Sequence, residues 1–244
     1  MSILRLDKLL ADTGRWSRSE AKKLVRQGCV KVNGRTASSP DEKYNPEGLS
    51  LTVDGEEISC RKYTYLMMNK PEGVLSATED RRQKTILDLL PPELQRRNLF
   101  PVGRLDKDST GLILLTNHGE LAHRLLSPRY HVDKVYLVRT DGEINEGDVE
   151  AFEHGMTLGD GEVCLPAGLE KIEGEPGWCT VILHEGKFHQ VKRMLAARGK
   201  PVLSLKRISM GNLSLDDALL EGEYRDLNAE EEENLLLSVQ LKNV

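Results

Sequence analysis

Nine residues of mixed polarity, Gly103-Arg-Leu-Asp-Lys-Asp-Ser-Thr-Gly111, run directly into the apolar stretch Leu112-Ile-Leu-Leu-Thr116. The apolar part has strand length, so the chain must build a sheet that carries a charged loop at one end. A rigid strand behind such a loop is a sound way to hold a reactive side chain in place. Asp106 and Asp108 are the candidates. Both also suit a turn in which a carboxylate caps local N–H groups, and neither spacing nor charge ranks one above the other.

Further apolar runs of strand length follow at Lys134 to Arg139 and Cys179 to His184. They alternate with helical segments without a regular βαβ repeat, which predicts an α+β domain with a mixed, largely antiparallel sheet flanked by helices. Tyr65-Leu-Met-Met-Asn-Lys-Pro71 reads as the buried strand that opens this domain, expected over residues 63–244. Near its end, Asn228 before the Glu230 to Glu233 run predicts a helix cap and an acidic first turn.

The first sixty residues follow a different pattern. Leu6, Leu9 and Leu10 have helical spacing, and Gly14 breaks that helix. Ser17-Arg-Ser-Glu20 fits a capping box. In the helix that follows, Ala21, Leu24 and Val25 share one face, Arg18, Lys22 and Arg26 another, and Gly28 ends it. Val30-Lys-Val-Asn-Gly-Arg35 predicts a hairpin, because Asn-Gly tolerates the positive φ angles of a type I′ turn. After a turn-rich stretch from Ser38 to Gly48, Leu51 to Gly55 predicts the last strand pair, and Cys60-Arg-Lys62 a linker. A small αα-β module over residues 1–60 results.

Charge separates the two parts as sharply as pattern does. The net charge is −5 over 244 residues, yet up to Arg35 nine Lys or Arg stand against three Asp or Glu. A basic module on an acidic body suggests a polyanion partner for the front end. Four scattered cysteines, Cys29, Cys60, Cys164 and Cys179, form no Cys-x-x-Cys pair and predict free thiols. No stretch approaches the roughly 20 apolar residues of a membrane span, and the amino-terminal residues lack the apolar core of a signal peptide. A cytoplasmic protein without a membrane partner is expected, with a monomer as the default.

Two sets of residues resemble known families. Arg5-Leu-Asp-Lys-Leu-Leu-Ala11 with Ser17 through Gly34 is similar to the S4 RNA-binding domain. That resemblance implies RNA contacts through Arg5, Lys8, Arg18, Lys22, Lys23 and Arg26. Gly103-Arg-Leu-Asp-x-x-Ser/Thr-x-Gly-Leu followed by Leu-Leu-Thr-Asn117 resembles the signature of RsuA-type ribosomal pseudouridine synthases. The resemblance implies that Asp106 is the catalytic nucleophile or base, flanked by Arg104 and Lys107, and that Asp108 has no catalytic role. Asp133-Lys-Val-Tyr136 resembles the family strand whose tyrosine stacks on the target base. Glu185-Gly-Lys-Phe-His-Gln-Val-Lys-Arg-Met194 resembles its third motif, in which Lys192 occupies the basic position paired with the aspartate. There Val191, Met194 and Leu195 should face the core, while His189 and Lys192, three apart, share another helix face. In the closing strand, Leu203 to Gly211, the resemblance implies that Leu205 packs under the nucleotide. Arg104, His189 and Leu205 join the expected RNA-binding set.

The implied reaction isomerises a uridine of 16S ribosomal RNA, within a partly assembled small subunit, and requires neither metal nor organic cofactor. A lysine at position 192 keeps Asp106 ionised in a pocket that the base has partly dried. The target must leave its stack to reach the carboxylate. A large-subunit (23S) enzyme of the same family and a non-catalytic S4-type ribosome-assembly protein are the alternatives. A metal hydrolase is disfavoured, since His118 and His123, like His184 and His189, stand five apart. A glycosidase would need its two carboxylates at a set separation, which one short loop meets only by accident.

Overall fold

The computed structural model describes residues 3–46 and 48–241. Met1 and Ser2 of the amino-terminal stretch, Glu47 of the turn-rich stretch and residues 242–244 of the expected second domain lie outside the described residues. Contacts divide the chain into two units, one formed by Met1–Thr64 with Leu87–Phe100, the other by Tyr65–Ile86 with Pro101–Val244. Leu87–Phe100 makes its contacts in the first unit, where Arg97 Nε donates to the Thr13 carbonyl at 2.9 Å. Gly14 permits this packing: at φ +79°, a Cβ there would lie 1.8 Å from the Glu93 carbonyl oxygen.

In the first unit, helices Leu6–Asp12 and Arg18–Arg26 lie over a four-stranded antiparallel sheet. Leu6, Leu10, Ala21 and Val25 pack with Val30, Val32, Leu51 and Val53 in one core. The capping box forms: Ser17 Oγ accepts from Glu20 N–H, and the Glu20 carboxylate accepts from Ser17 N–H. Asn33 and Gly34 both have positive φ, as the type I′ reading requires, and Asp54-Gly55 repeats the arrangement in the next hairpin.

The second unit is built on a mixed sheet. Its strands lie in the order Gly168–Lys171, Trp178–Leu183, Lys134–Thr140, Val202–Met210, Thr110–Thr116, Tyr65–Lys70 and Tyr224–Asp226. Along that path only Val202–Met210 and Thr110–Thr116 run parallel. This is the α+β class expected. Tyr65–Lys70 is buried throughout, as its apolar run requires. Helix Gln190–Ala197 presents Val191, Met194 and Leu195 to a core that also holds Val138, Val181 and Phe152. Asn228 caps helix Ala229–Ser238 with Glu231 as the reciprocal partner.

The parallel pairing places Gly111 opposite Arg207. Gly111 has φ +99°, and a Cβ there would sit 2.3 Å from the Arg207 carbonyl oxygen. Only glycine allows the charged loop to enter the sheet at this crossing. All four cysteines are free thiols. Among the described residues, no helix is long and apolar enough to cross a membrane.

Candidate active site

The loop from Gly103 to Ser109 is clamped through its backbone. Ser76 Oγ accepts from Leu105 N–H at 3.0 Å and donates to the Leu105 carbonyl at 2.8 Å. Gly73 N–H donates to the Lys107 carbonyl at 2.8 Å. From below, Lys70 ends its strand fully buried and donates to the carbonyls of Pro71, Lys107 and Ser109 at 3.0, 3.3 and 2.8 Å. Burial pushes the Lys70 ammonium down to about 8, although the charges of Asp108 and Asp106 oppose the shift. Nothing in the motif reading singled out Lys70, but a lysine closing a strand that opens with Tyr-Leu-Met-Met was a visible signal.

Held this way, Asp106 projects into a cleft of about 640 Å³ that Arg104, Tyr136, Phe188 and His189 also line. Lys192 Nζ lies 3.0 Å from Asp106 Oδ2, and His189 Nε2 lies 3.4 Å from Oδ1. The same Lys192 ammonium donates to Asp108 Oδ1 at 2.5 Å. Burial works against the Lys192 charge, but the bonds to Asp108 and Asp106 outweigh it and raise the ammonium above the ordinary lysine value. The Lys192 bond holds the Asp108 carboxyl below the ordinary range, with burial opposing. Exposure separates the two acids: the Asp106 side chain is 25% exposed inside the cleft, the Asp108 side chain 64%.

His189 reaches Asp106 by a route that helical spacing did not foresee. It is the N-cap of helix Gln190–Ala197 in a left-handed conformation, φ +47°, and does not share a helix face with Lys192. The turn before it is pinned by buried Gln190, whose amide accepts from Lys187 N–H and donates to Glu185 at 2.7 Å. The 69%-exposed Phe188 stacks on the His189 ring at 3.8 Å between centroids. Tyr136 stands on strand Lys134–Thr140 at 9% exposure, and with Leu205 and Asp106 it lines a smaller hollow of about 70 Å³.

In the first unit, Arg18, Lys23 and Arg26 are exposed on helix Arg18–Arg26, and Lys8 and Lys22 are half-buried. Arg5 is drawn inward: it donates to buried Asp7 at 3.1 and 3.0 Å and also pairs with Asp41. Of the rival histidine pairs, His118 bonds the Tyr65 hydroxyl at 2.9 Å and His184 bonds Asp133 at 2.8 Å, while His189 faces Asp106. Among the described residues, no group of three or more His, Cys, Asp or Glu could hold a metal ion.

A mixed sheet thus holds the Asp106 loop against Tyr136 and the helix that bears Lys192. Residues 64–197 match the RNA pseudouridylate synthase family, and residues 4–48 match the S4 domain. The chain is 50% identical to a Bacillus subtilis protein named uncharacterized RNA pseudouridine synthase YtzG, over 93% of this chain and 96% of that one. It is 41% identical to the ribosomal small subunit pseudouridine synthase A of Vibrio cholerae, over 93% and 97%. A crystal structure of a pseudouridylate synthase superposes with a TM-score of 0.67 at 38% identity, covering 95% of this chain and 99% of that one. The chain belongs to the RNA pseudouridine synthase family and carries an S4 domain at its amino terminus.

Proposed function

We propose that this enzyme converts one uridine of small-subunit (16S) ribosomal RNA to pseudouridine, with Asp106 as the catalytic carboxylate. The observation that carries the reading is the placement of Asp106 in the cleft between Lys192 and His189, with Tyr136 on the wall. The base enters after leaving its stack and lies against Tyr136, with Leu205 packing beneath it. The N1–C1′ bond breaks, the base turns, and C1′ joins C5; C5 gives up its proton and N1 gains one. Asp106 acts either by adding covalently or by removing a sugar proton, and in both routes its carboxylate works with the Lys192 ammonium 3.0 Å away. No electron or group passes to a second molecule, so the chemistry calls for no metal or organic cofactor.

The exposed basic residues Arg18, Lys23 and Arg26, with Lys8 and Lys22, supply phosphate contacts to structured RNA. Several relatives at 37–41% identity are named ribosomal small subunit pseudouridine synthase A, which favours a 16S target over 23S. A partly assembled small subunit in the cytoplasm is the proposed substrate particle, acted on by a monomer. The test is turnover by pure protein on both ribosomal RNAs, free and in assembly intermediates. One modified uridine in 16S RNA, lost in Asp106→Asn, is the expected result. Modification confined to 23S would overturn the target. Full activity in Asp106→Asn would overturn the site, and no pseudouridine on any substrate would leave the non-catalytic alternative.

A further inference from the structure

Two cations in the cleft wall have no part in the chemistry described so far. Lys134 and Arg207 come from adjacent antiparallel strands, and both line the cleft that holds Asp106. Their exposures are 5% and 3%. Lys134 Nζ donates to the Val132 carbonyl at 2.8 Å, and Arg207 Nε to the Leu112 carbonyl at 2.8 Å. Arg207 Nη2 is buried without a hydrogen-bond partner. Among the described residues, neither cation has a carboxylate within the 4.0 Å of an ion pair. Asp133 partly offsets the charge of Lys134 without forming an ion pair, and Lys134 and Arg207 repel each other, so an anion entering the cleft relieves the cost of burying both.

We propose that Lys134 and Arg207 form a phosphate seat that takes a phosphodiester flanking the nucleotide being modified. This deepens the proposed function and rests on it. A guanidinium with a spare nitrogen beside an ammonium suits a phosphodiester, whose two unesterified oxygens accept from both donors. The seat also meets a requirement of the reaction. Once N1–C1′ has broken, the base must turn while the ribose stays still, and a clamped backbone phosphate keeps C1′ where C5 will arrive. Tyr136 pairs in register with Arg207, so the wall for the base and the seat for the backbone are built on the same two strands.

The experiment uses the full chain and a substrate RNA with one uncharged methylphosphonate placed 5′ or 3′ of the target uridine. With wild-type protein, one of the two linkages should raise KM about tenfold and weaken binding to Asp106→Asn protein by a similar factor. Lys134→Met and Arg207→Met should weaken native RNA to a similar degree and lose the sensitivity to that linkage, while Arg207→Lys recovers part of it. If both neutral linkages behave as native RNA in the wild-type protein, the seat is refuted, and this arm does not depend on any variant folding. If the variants lower kcat at unchanged KM and remain sensitive to methylphosphonate, the cations serve the detached base instead, which also overturns the proposal. Absence of pseudouridine with native RNA would refute the enzymatic reading, while the binding arm still decides whether a phosphate is seated.

Discussion

Lys192 Nζ bridges two carboxylates, 3.0 Å from Asp106 Oδ2 and 2.5 Å from Asp108 Oδ1. One cation therefore contacts both acids, and their different exposure divides them. Asp108 faces water, while Asp106 faces the cleft.

That division is testable by exchanging each acid for its amide. Asp106→Asn should cost at least about a thousandfold in turnover, at the upper part of the range for a positioned acid–base group, with RNA affinity within a few-fold. Asp108→Asn should cost less than about tenfold, because its carboxylate only orients the shared ammonium. Single-turnover assays of both variants decide it; equal losses would mean that the two acids act as a pair.

Lys192→Met should release Asp108 from the bond that holds its carboxyl below the ordinary range. A depressed carboxyl stabilises the fold above its unfolded value, and that contribution fades as pH falls through the lowered folded value. In the variant, the Asp108 carboxyl carbon should titrate at higher pH by NMR and kcat should fall. An unmoved titration would show that the pair contributes little in solution.

Lys70 makes a prediction at the other end of the pH scale. Its folded value is pushed down to about 8 by burial, so between about 8 and the ordinary lysine value the unfolded chain binds more protons. Stability from this group therefore rises with pH across that window. Denaturant unfolding at several pH values should show wild type gaining on Lys70→Met as pH rises; a constant gap would argue against a charged, buried Lys70.

Phe188 stacks on His189 and leaves most of its ring open to solvent at the cleft rim. An open aromatic face there suits an unstacked RNA base, worth roughly 1–3 kcal/mol by alanine substitution. Phe188→Ala should weaken RNA binding about tenfold with thermal stability unchanged. Unchanged affinity would leave the ring without a role in binding.

Charge reversal at Arg18 and Arg26 should weaken RNA binding and flatten its dependence on salt, since fewer counter-ions are released. Arg5→Ala should act differently, by loosening the buried Asp7 it holds. Binding at several salt concentrations, set beside unfolding curves, separates the two effects.

Local structure was largely readable from the chain. The Ser17 capping box, the Asn33-Gly34 turn, the apolar strands and the core face of helix Gln190–Ala197 depend on neighbours a few residues away. His189 was misplaced because its reach to Asp106 depends on a left-handed cap, which helical spacing does not encode. The contacts of the Leu87–Phe100 segment were not legible because its partners, Thr13, Gly14 and Thr64, are distant in sequence.

By itself the sequence determined a basic αα-β front end, an α+β body and a charged loop carrying two aspartates on an apolar strand. Between Asp106 and Asp108 its residues were neutral, and resemblance favoured the first. Tertiary structure alone decided how deep each carboxylate sits, that one lysine serves both, and that Lys70, Lys134 and Arg207 lie buried around them. The reason is physical: periodicity and caps act between residues close in the chain, whereas burial and charge pairing depend on which distant strands become neighbours.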